Sequence, residues 1–305
     1  MIYEYALDPL LISDPICRLI VNGMGYSKGR LVSKFPSHWE DLIHIVLQDS
    51  DVLPIQRKRM IEIVNRLKDR MFPRDYVFDE NDTWIENAIF EHNERPFRAI
   101  LASSNPGRKS YVLCDDNIDE NNPLWDVDTT VTIPRKSEMM AETARLLLES
   151  AKEVIFVDPH FSLEKRHSKP LEAFMSILSN RTADIRLRRI EYHIDNKIKA
   201  SCFMDKLCAH IMPKLKLPKD LTMKIVRWEK HDELHNRYIL TNKAGVSFHH
   251  GLDEGRGTDE VTILSEDSYK QRWKQFNRAT CPFNFCDGFE VTSKSVKQIN
   301  SSSWG

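Results

Sequence analysis

Apolar residues recur near helical spacing over residues 39–48 and 55–70, and more weakly over 81–92, which predicts three helices in the first third of the chain. Between the helices lie short apolar runs. Residues 96–103 (PFRAILAS) and 111–114 read as strands around the turn Asn105-Pro106-Gly107. This succession predicts a mixed α+β unit over residues 1–133. The acidic stretch 115–128 (DDNIDENNPLWDVD) reads as a linker or surface loop, because it lacks the glycine and the ligand offsets of an EF-hand calcium loop.

After Pro134 the pattern becomes regular. Ser137 can cap a helix to residue 150 that puts Met140, Ala144, Leu147 and Leu148 on one face. The apolar run 154–157 ends in Asp158-Pro159-His160-Phe161, a buried strand delivering polar residues at its carboxyl end. A helix at 169–178, a strand at 189–194, a helix at 198–215 and a strand at 221–228 continue the alternation. Strands at 238–241 and 245–248 follow closely, and the apolar run 261–264 leads into a helix over 265–276. Alternation with these connection lengths predicts an α/β domain over residues 134–291, a mixed sheet flanked by helices with active residues at strand ends. The serine-rich stretch 292–305, with a lone Trp304, reads as a flexible tail.

The chain has 305 residues, enough for two domains whose cores need no disulfide staples. No apolar run is long enough to cross a bilayer, and Met1-Ile2-Tyr3-Glu4-Tyr5 lacks the basic and apolar regions of a secretory signal, so the expected compartment is the cytoplasm. The six cysteines are then expected to be reduced. Cys281 with Cys286, and Cys202 with Cys208 and His210, lack the short paired spacing of a zinc ribbon and read as free thiols. A net charge of −1 excludes a global field for polyanions, so nucleic acid or lipid must meet a local patch. Residues 181–189 offer Arg181, Arg186, Arg188 and Arg189 against Asp184; a solvated helix-to-strand connection explains the same cluster.

Candidate chemistry concentrates in residues 229–255, EKHDELHNRYILTNKAGVSFHHGLDEG. On a strand, His235 and Arg237 point to one face while Tyr238 and Leu240 fill the other. An imidazole can attack phosphorus, and a guanidinium offers donors to the nonbridging oxygens where transition-state charge gathers. Asp158 and His160, also two apart, can line the same pocket. His249 and His250 are adjacent, so at most one serves a site if the chain is extended. Metal-dependent hydrolysis through His231 and His235 would need a helix there, with Asp232 and Glu233 between the ligands.

The His-x-Arg pair, the strand after it, the polar residue Asn242, the turn, second strand and Gly-containing loop resemble the His-x-Lys-x4-Asp motif of the phospholipase D superfamily. The Val-Asp-Pro-His-Phe strand end and Thr258-Asp259-Glu260 resemble other parts of that family's repeat, over roughly 110 residues in all. Arg237 stands where the family has lysine, and Asn242 where it has aspartate. The resemblance implies a metal-independent, cofactor-free phosphodiesterase, a nuclease of a bacterial genome-defence or restriction type, working through a phosphohistidine. It implies catalytic roles for His235, Arg237 and Asp259, with Asp259 orienting the histidine, and phosphate binding by Asn242, His249, Asp253 and His160. A single repeat implies a homodimer, and residues 1–133 would recognise a protein partner or a target. The alternative is a non-catalytic adaptor that binds phosphate or membrane lipid.

Overall fold

The computed structural model describes all residues except 50–52, 182–184, 218–220, 232 and 305, and it divides into two units, Met1–Thr129 and Thr130–Gly305. In the first unit, β1 (Tyr3–Leu7), β2 (Arg30–Lys34), β3 (Met71–Pro73), β4 (Ala99–Leu101) and β5 (Val112–Leu113) form one sheet in the order β3-β2-β1-β4-β5. Every pairing in it is parallel. Helices α1 (Cys17–Gly23), α2 (Trp39–Asp49), α3 (Pro54–Lys68) and α4 (Trp84–Glu94) lie on the connections, as parallel neighbours require. The expected mixed α+β unit is therefore an α/β unit.

The strands are hard to read because they are short and carry charge inward. Glu4 of β1 is buried against Ser33 Oγ (2.7 Å) and Arg74 (2.9 Å), and Arg74 also reaches Glu91 (2.6 Å) and the Arg95 carbonyl. Such a buried network persists only when every member is paired. The acidic stretch is no linker. Ile118 and Trp125 sit in the core, the Tyr5 hydroxyl donates to the Leu124 carbonyl (2.6 Å), and Arg30 Nε donates to that of Trp125 (2.6 Å).

The second unit is α/β with a mixed sheet flanked by helices. Its strands are β6 (Thr130–Pro134), β7 (Glu153–Val157), β8 (Arg189–Asp195), β9 (Met223–Trp228), β10 (Arg237–Thr241), β11 (Gly245–Phe248), β12 (Thr258–Ile263), β13 (Phe285–Val291) and β14 (Val296–Ile299). Their order is β14-β13-β9-β8-β7-β10-β11-β12-β6, with β7-β8-β9 parallel and the other pairings antiparallel. The helices are α5 (Ser137–Glu149), α6 (Lys165–Ser179), α7 (Ala200–Lys206) and α8 (Glu266–Gln275).

Period-two alternation sorts the residues of β7 and β10. Ile155, Val157, Tyr238 and Leu240 enter a core with Trp228, Phe276 and Trp304, while Phe156 stacks on Phe174 of α6 and on Tyr192. Two expectations change. Of the stretch 292–305, the described residues 292–304 are not a free tail: β14 pairs with β13, and Trp304 packs edge-on to Trp228 with ring centroids 4.9 Å apart. The helix expected over 198–215 is α7 followed by one wide π-helical turn, Leu207–Ile211.

Register brings the chemistry to one edge of this sheet. Val157 opposite Tyr238 sets Asp158 beside Arg237, and Arg237 opposite Phe248 sets His249 and His250 just beyond the strand. Thr258 opposite Pro134 brings Arg135 to the same edge. No helix among the described residues is long and apolar enough to cross a membrane.

Candidate functional site

Asp158, at the carboxyl end of β7, is buried and accepts two backbone N–H bonds, from His160 to Oδ1 (2.9 Å) and from Leu252 to Oδ2 (3.0 Å). Burial pushes its carboxyl above the ordinary range despite those bonds and the nearby Arg237. Arg237 opens β10 on the same face. Its Nε is buried without a hydrogen-bond partner among the described residues, and Asp158 Oδ1 stands 4.0 Å away, beyond bonding reach. A half-buried guanidinium with its Nε donor unmet is a place for an anion.

His160 follows the strand end and is held by Lys197, whose Nζ lies 2.8 Å from Nδ1 and 2.7 Å from Asp195 Oδ2. An ammonium only donates, so Nδ1 accepts and the ring proton sits on Nε2. Partial burial, then the charges of Lys197 and Arg237, lower the His160 pKa; Asp195 opposes them and His235 adds to the lowering. Imidazole 160 is therefore neutral near pH 7, with His235 and Arg237 as electrostatic neighbours.

The loop after β11 closes the edge. Gly251 has φ +146, and a Cβ there would meet Asp253 Oδ1 at 2.9 Å, Asp158 Oδ2 at 3.5 Å and Arg237 Nε at 3.9 Å, so only glycine lets the backbone pass so close. The loop is fastened to α6 by a proline. Pro170, lacking an N–H, leaves the Arg166 carbonyl free, and that carbonyl accepts from Glu254 N (2.8 Å). Asp253 pairs with Arg135 (2.6 Å) and Arg166 (3.3 Å). Burial raises the Glu254 carboxyl, but Ser137 through its hydroxyl and N–H, and then Lys169, outweigh that and hold it below the usual range. Ser137 is thus capped by Glu254 rather than capping α5 itself.

Of the residues expected to carry catalysis, Arg237 takes the expected strand position. His235 lies in the turn before β10 instead of on the strand, exposed to solvent, so the two-residue spacing does not by itself align the pair. Asp259 is buried and orients a different imidazole, accepting from His250 N (2.9 Å) and lying 3.2 Å from His250 Nδ1.

Among the residues expected to bind phosphate, His160 reaches the cluster and His249 is exposed with its ring against that of His250. Asn242 does not: five residues along β10, about 17 Å from Arg237, its Oδ1 accepts from Lys152 N (2.7 Å) and Glu153 N (3.1 Å) at the opposite edge. Asp253 is occupied by two arginines and repels phosphate, so its part is to hold Arg135 and Arg166. Lys197 and Arg135 escape the sequence reading, having no motif spacing; only their places just past β8 and β6 point to the edge.

The other candidates stand apart. His231 and His235 are not on a helix, and His231 Nδ1 accepts from Glu233 N (3.1 Å); Asp232 lies outside the described residues. Among the described residues no group of three or more His, Cys, Asp or Glu is placed to hold a metal ion. In the arginine stretch, Arg181 bonds the Ala151 carbonyl (2.6 Å) and Arg189 pairs with Glu191 (2.6 Å) and Glu153 (3.4 Å), while Arg186 and Arg188 are exposed and Asp184 lies outside the described residues.

No family model matches the chain, and no curated protein matches it. Among solved structures it is similar to TrmBL2, an archaeal chromatin protein whose structure shows a novel mode of DNA binding; the identity is 12%, the TM-score is 0.28, and the match spans 53% of this chain and 55% of that one.

Proposed function

We propose that the second unit is a metal-independent phosphodiesterase of phospholipase D type acting on nucleic acid. The observation that supports it most is the Arg237 guanidinium, whose buried Nε has no hydrogen-bond partner among the described residues, at an edge where the charges of Arg237 and His235 both act on His160. In this reading Arg237 donates to the nonbridging oxygens. A His235 ring nitrogen forms the bond to phosphorus as the bond from phosphorus to the leaving oxygen breaks. His160 gives that oxygen its Nε2 proton and takes one on Nδ1 from Lys197. Water then attacks the phosphohistidine, His235 leaves, and the water proton returns to Lys197 through His160. One chain supplies both imidazoles, so the step needs no second copy; homodimerisation stays a separate proposal, checked by sedimentation.

The test is turnover of bis(4-nitrophenyl) phosphate and of single-stranded DNA and RNA in EDTA. Wild type is expected to turn over. His235→Ala and Arg237→Ala are expected to lose at least about 100-fold, with melting temperatures unchanged. Wild-type turnover that survives His235→Ala would remove the phosphohistidine. Oligonucleotide or lipid binding without turnover would favour a non-catalytic adaptor, a reading that gains from Asp253, expected to bind phosphate, being occupied by Arg135 and Arg166.

A further inference from the structure

Beside His160 the second unit has a cavity of about 400 Å³, lined by Ser162, Lys165, Ser168, Lys206, His210 and Lys214 among others. Ser162 follows His160 by two residues, a reach of about 7 Å, and Ile198 on another wall follows Lys197, the partner of His160. The cavity therefore adjoins the candidate site. Its charge is one-sided. Lys165, Lys206 and Lys214 have no ion pair among the described residues, and the carboxylate on the wall, Glu164, is paired with Arg166 at 3.1 Å.

Two features aim this charge. The π-helical turn Leu207–Ile211, closed by the bond from Met212 N to the Leu207 carbonyl (3.0 Å), rewinds the helix between Lys206 and Lys214, and both with His210 line the cavity. Such widened turns recur at functional sites. Lys165 and Ser168 stand on the first turn of α6, whose cap residue Glu164 offers no side-chain bond to the helix N–H groups. Hydroxyls and three uncompensated ammonium groups beside a phosphodiester site suit a second phosphate.

We propose that this cavity is a subsite for a neighbouring phosphate of the same strand, so that the ligand of the edge is a single-stranded polynucleotide rather than an isolated diester. The proposal rests on the phosphodiesterase reading for its first phosphate, but it makes its own prediction. Each lysine that neutralises a strand phosphate contributes about 0.7 to the slope of log affinity against log salt.

The experiment is anisotropy of a fluorescein-labelled oligothymidylate of about twelve nucleotides, titrated with the full chain over salt. The Lys165→Gln/Lys206→Gln/Lys214→Gln variant is expected to lower the slope by about 2 and to weaken binding roughly 100-fold at about 0.1 M salt. Lys270→Gln, an exposed lysine paired with Glu266, controls for net charge. If the triple variant fails to fold, Lys206→Gln alone is expected to lower the slope by about 0.7. An unchanged slope overturns the subsite. So does a loss of binding to phosphatidylglycerol vesicles with oligothymidylate binding intact, which would make the cavity a lipid headgroup site. If wild type does not bind the oligonucleotide the subsite also falls, and turnover of bis(4-nitrophenyl) phosphate then shows whether the phosphodiesterase reading falls with it.

Discussion

Inside the second unit, Trp228, His193, Glu191 and Arg189 form a hydrogen-bonded chain that shows how neighbours decide a charge. Trp228 Nε1 donates to His193 Nδ1 (3.1 Å), which leaves the ring proton on Nε2, 2.9 Å from Glu191; Arg189 adds a bond at 2.6 Å. Burial works to raise the Glu191 pKa, yet the bonds from His193 and Arg189 win and hold it at about 2, against 4.5 for a free glutamate. Burial lowers the pKa of His193, so the imidazole stays neutral beside an ionised carboxylate. The sign for Glu191 follows: its contribution is fully present above pH 4.5 and is lost as pH falls towards about 2. A shift of this size corresponds to roughly 3 kcal/mol. Urea unfolding across pH is expected to show wild type more stable than Glu191→Gln by a constant amount above pH 4.5, with the gap shrinking below it. A gap that did not change between pH 5 and pH 3 would mean that Glu191 does not titrate in this window.

Elements differ in how openly the sequence declares them. The runs of β7, β8, β10 and β11 and the apolar faces of α5 and α6 are long and one-sided enough to be read directly, and they place Asp158, His160 and Arg237 at strand ends. The turn before β10 is different, because no local pattern tells a strand start from a turn, and so the alignment of His235 with Arg237 was not legible. Asn242 differs for a related reason: the resemblance points to it, but strand length alone sends it to the opposite edge, where it accepts from Lys152 N and Glu153 N. The short parallel strands of the first unit hide behind Glu4, a charge whose partners Ser33 and Arg74 lie far along the chain. At the end of the chain, β13 and β14 form the sheet edge, and polarity there masks order that Trp304 secures. Trp304 stacks on Phe285 at 5.9 Å, meets Trp228 edge-on, and is 6% exposed. Trp304→Ala is expected to cost about 3–5 kcal/mol in urea unfolding; a cost under about 1 kcal/mol would put the final residues outside the core.

At the scale of the whole molecule, each unit has its own buried core, and every residue assigned to the candidate site belongs to Thr130–Gly305. That unit begins with β6, all but the last residue of which lies before the boundary expected at residue 134. The difference matters physically. β6 covers the edge of β12 along Thr130–Pro134, buries Ile133 opposite Asp259, and leads into Arg135, the partner of Asp253. Removing it would expose unpaired backbone groups beside the carboxylate that orients His250 and would leave Asp253 short of one cation. Residues 130–305 produced alone are therefore expected to unfold in one cooperative transition and to keep the turnover of bis(4-nitrophenyl) phosphate in EDTA. Residues 136–305, without β6 and Arg135, are expected to melt at a lower temperature and to lose that turnover. If the 130–305 piece folds but is inactive while the full chain turns over, the first unit supplies a group the chemistry needs. If both pieces are equally active, β6 and Arg135 are not required at the edge, and the loop from His250 to Asp253 is held by α6 alone.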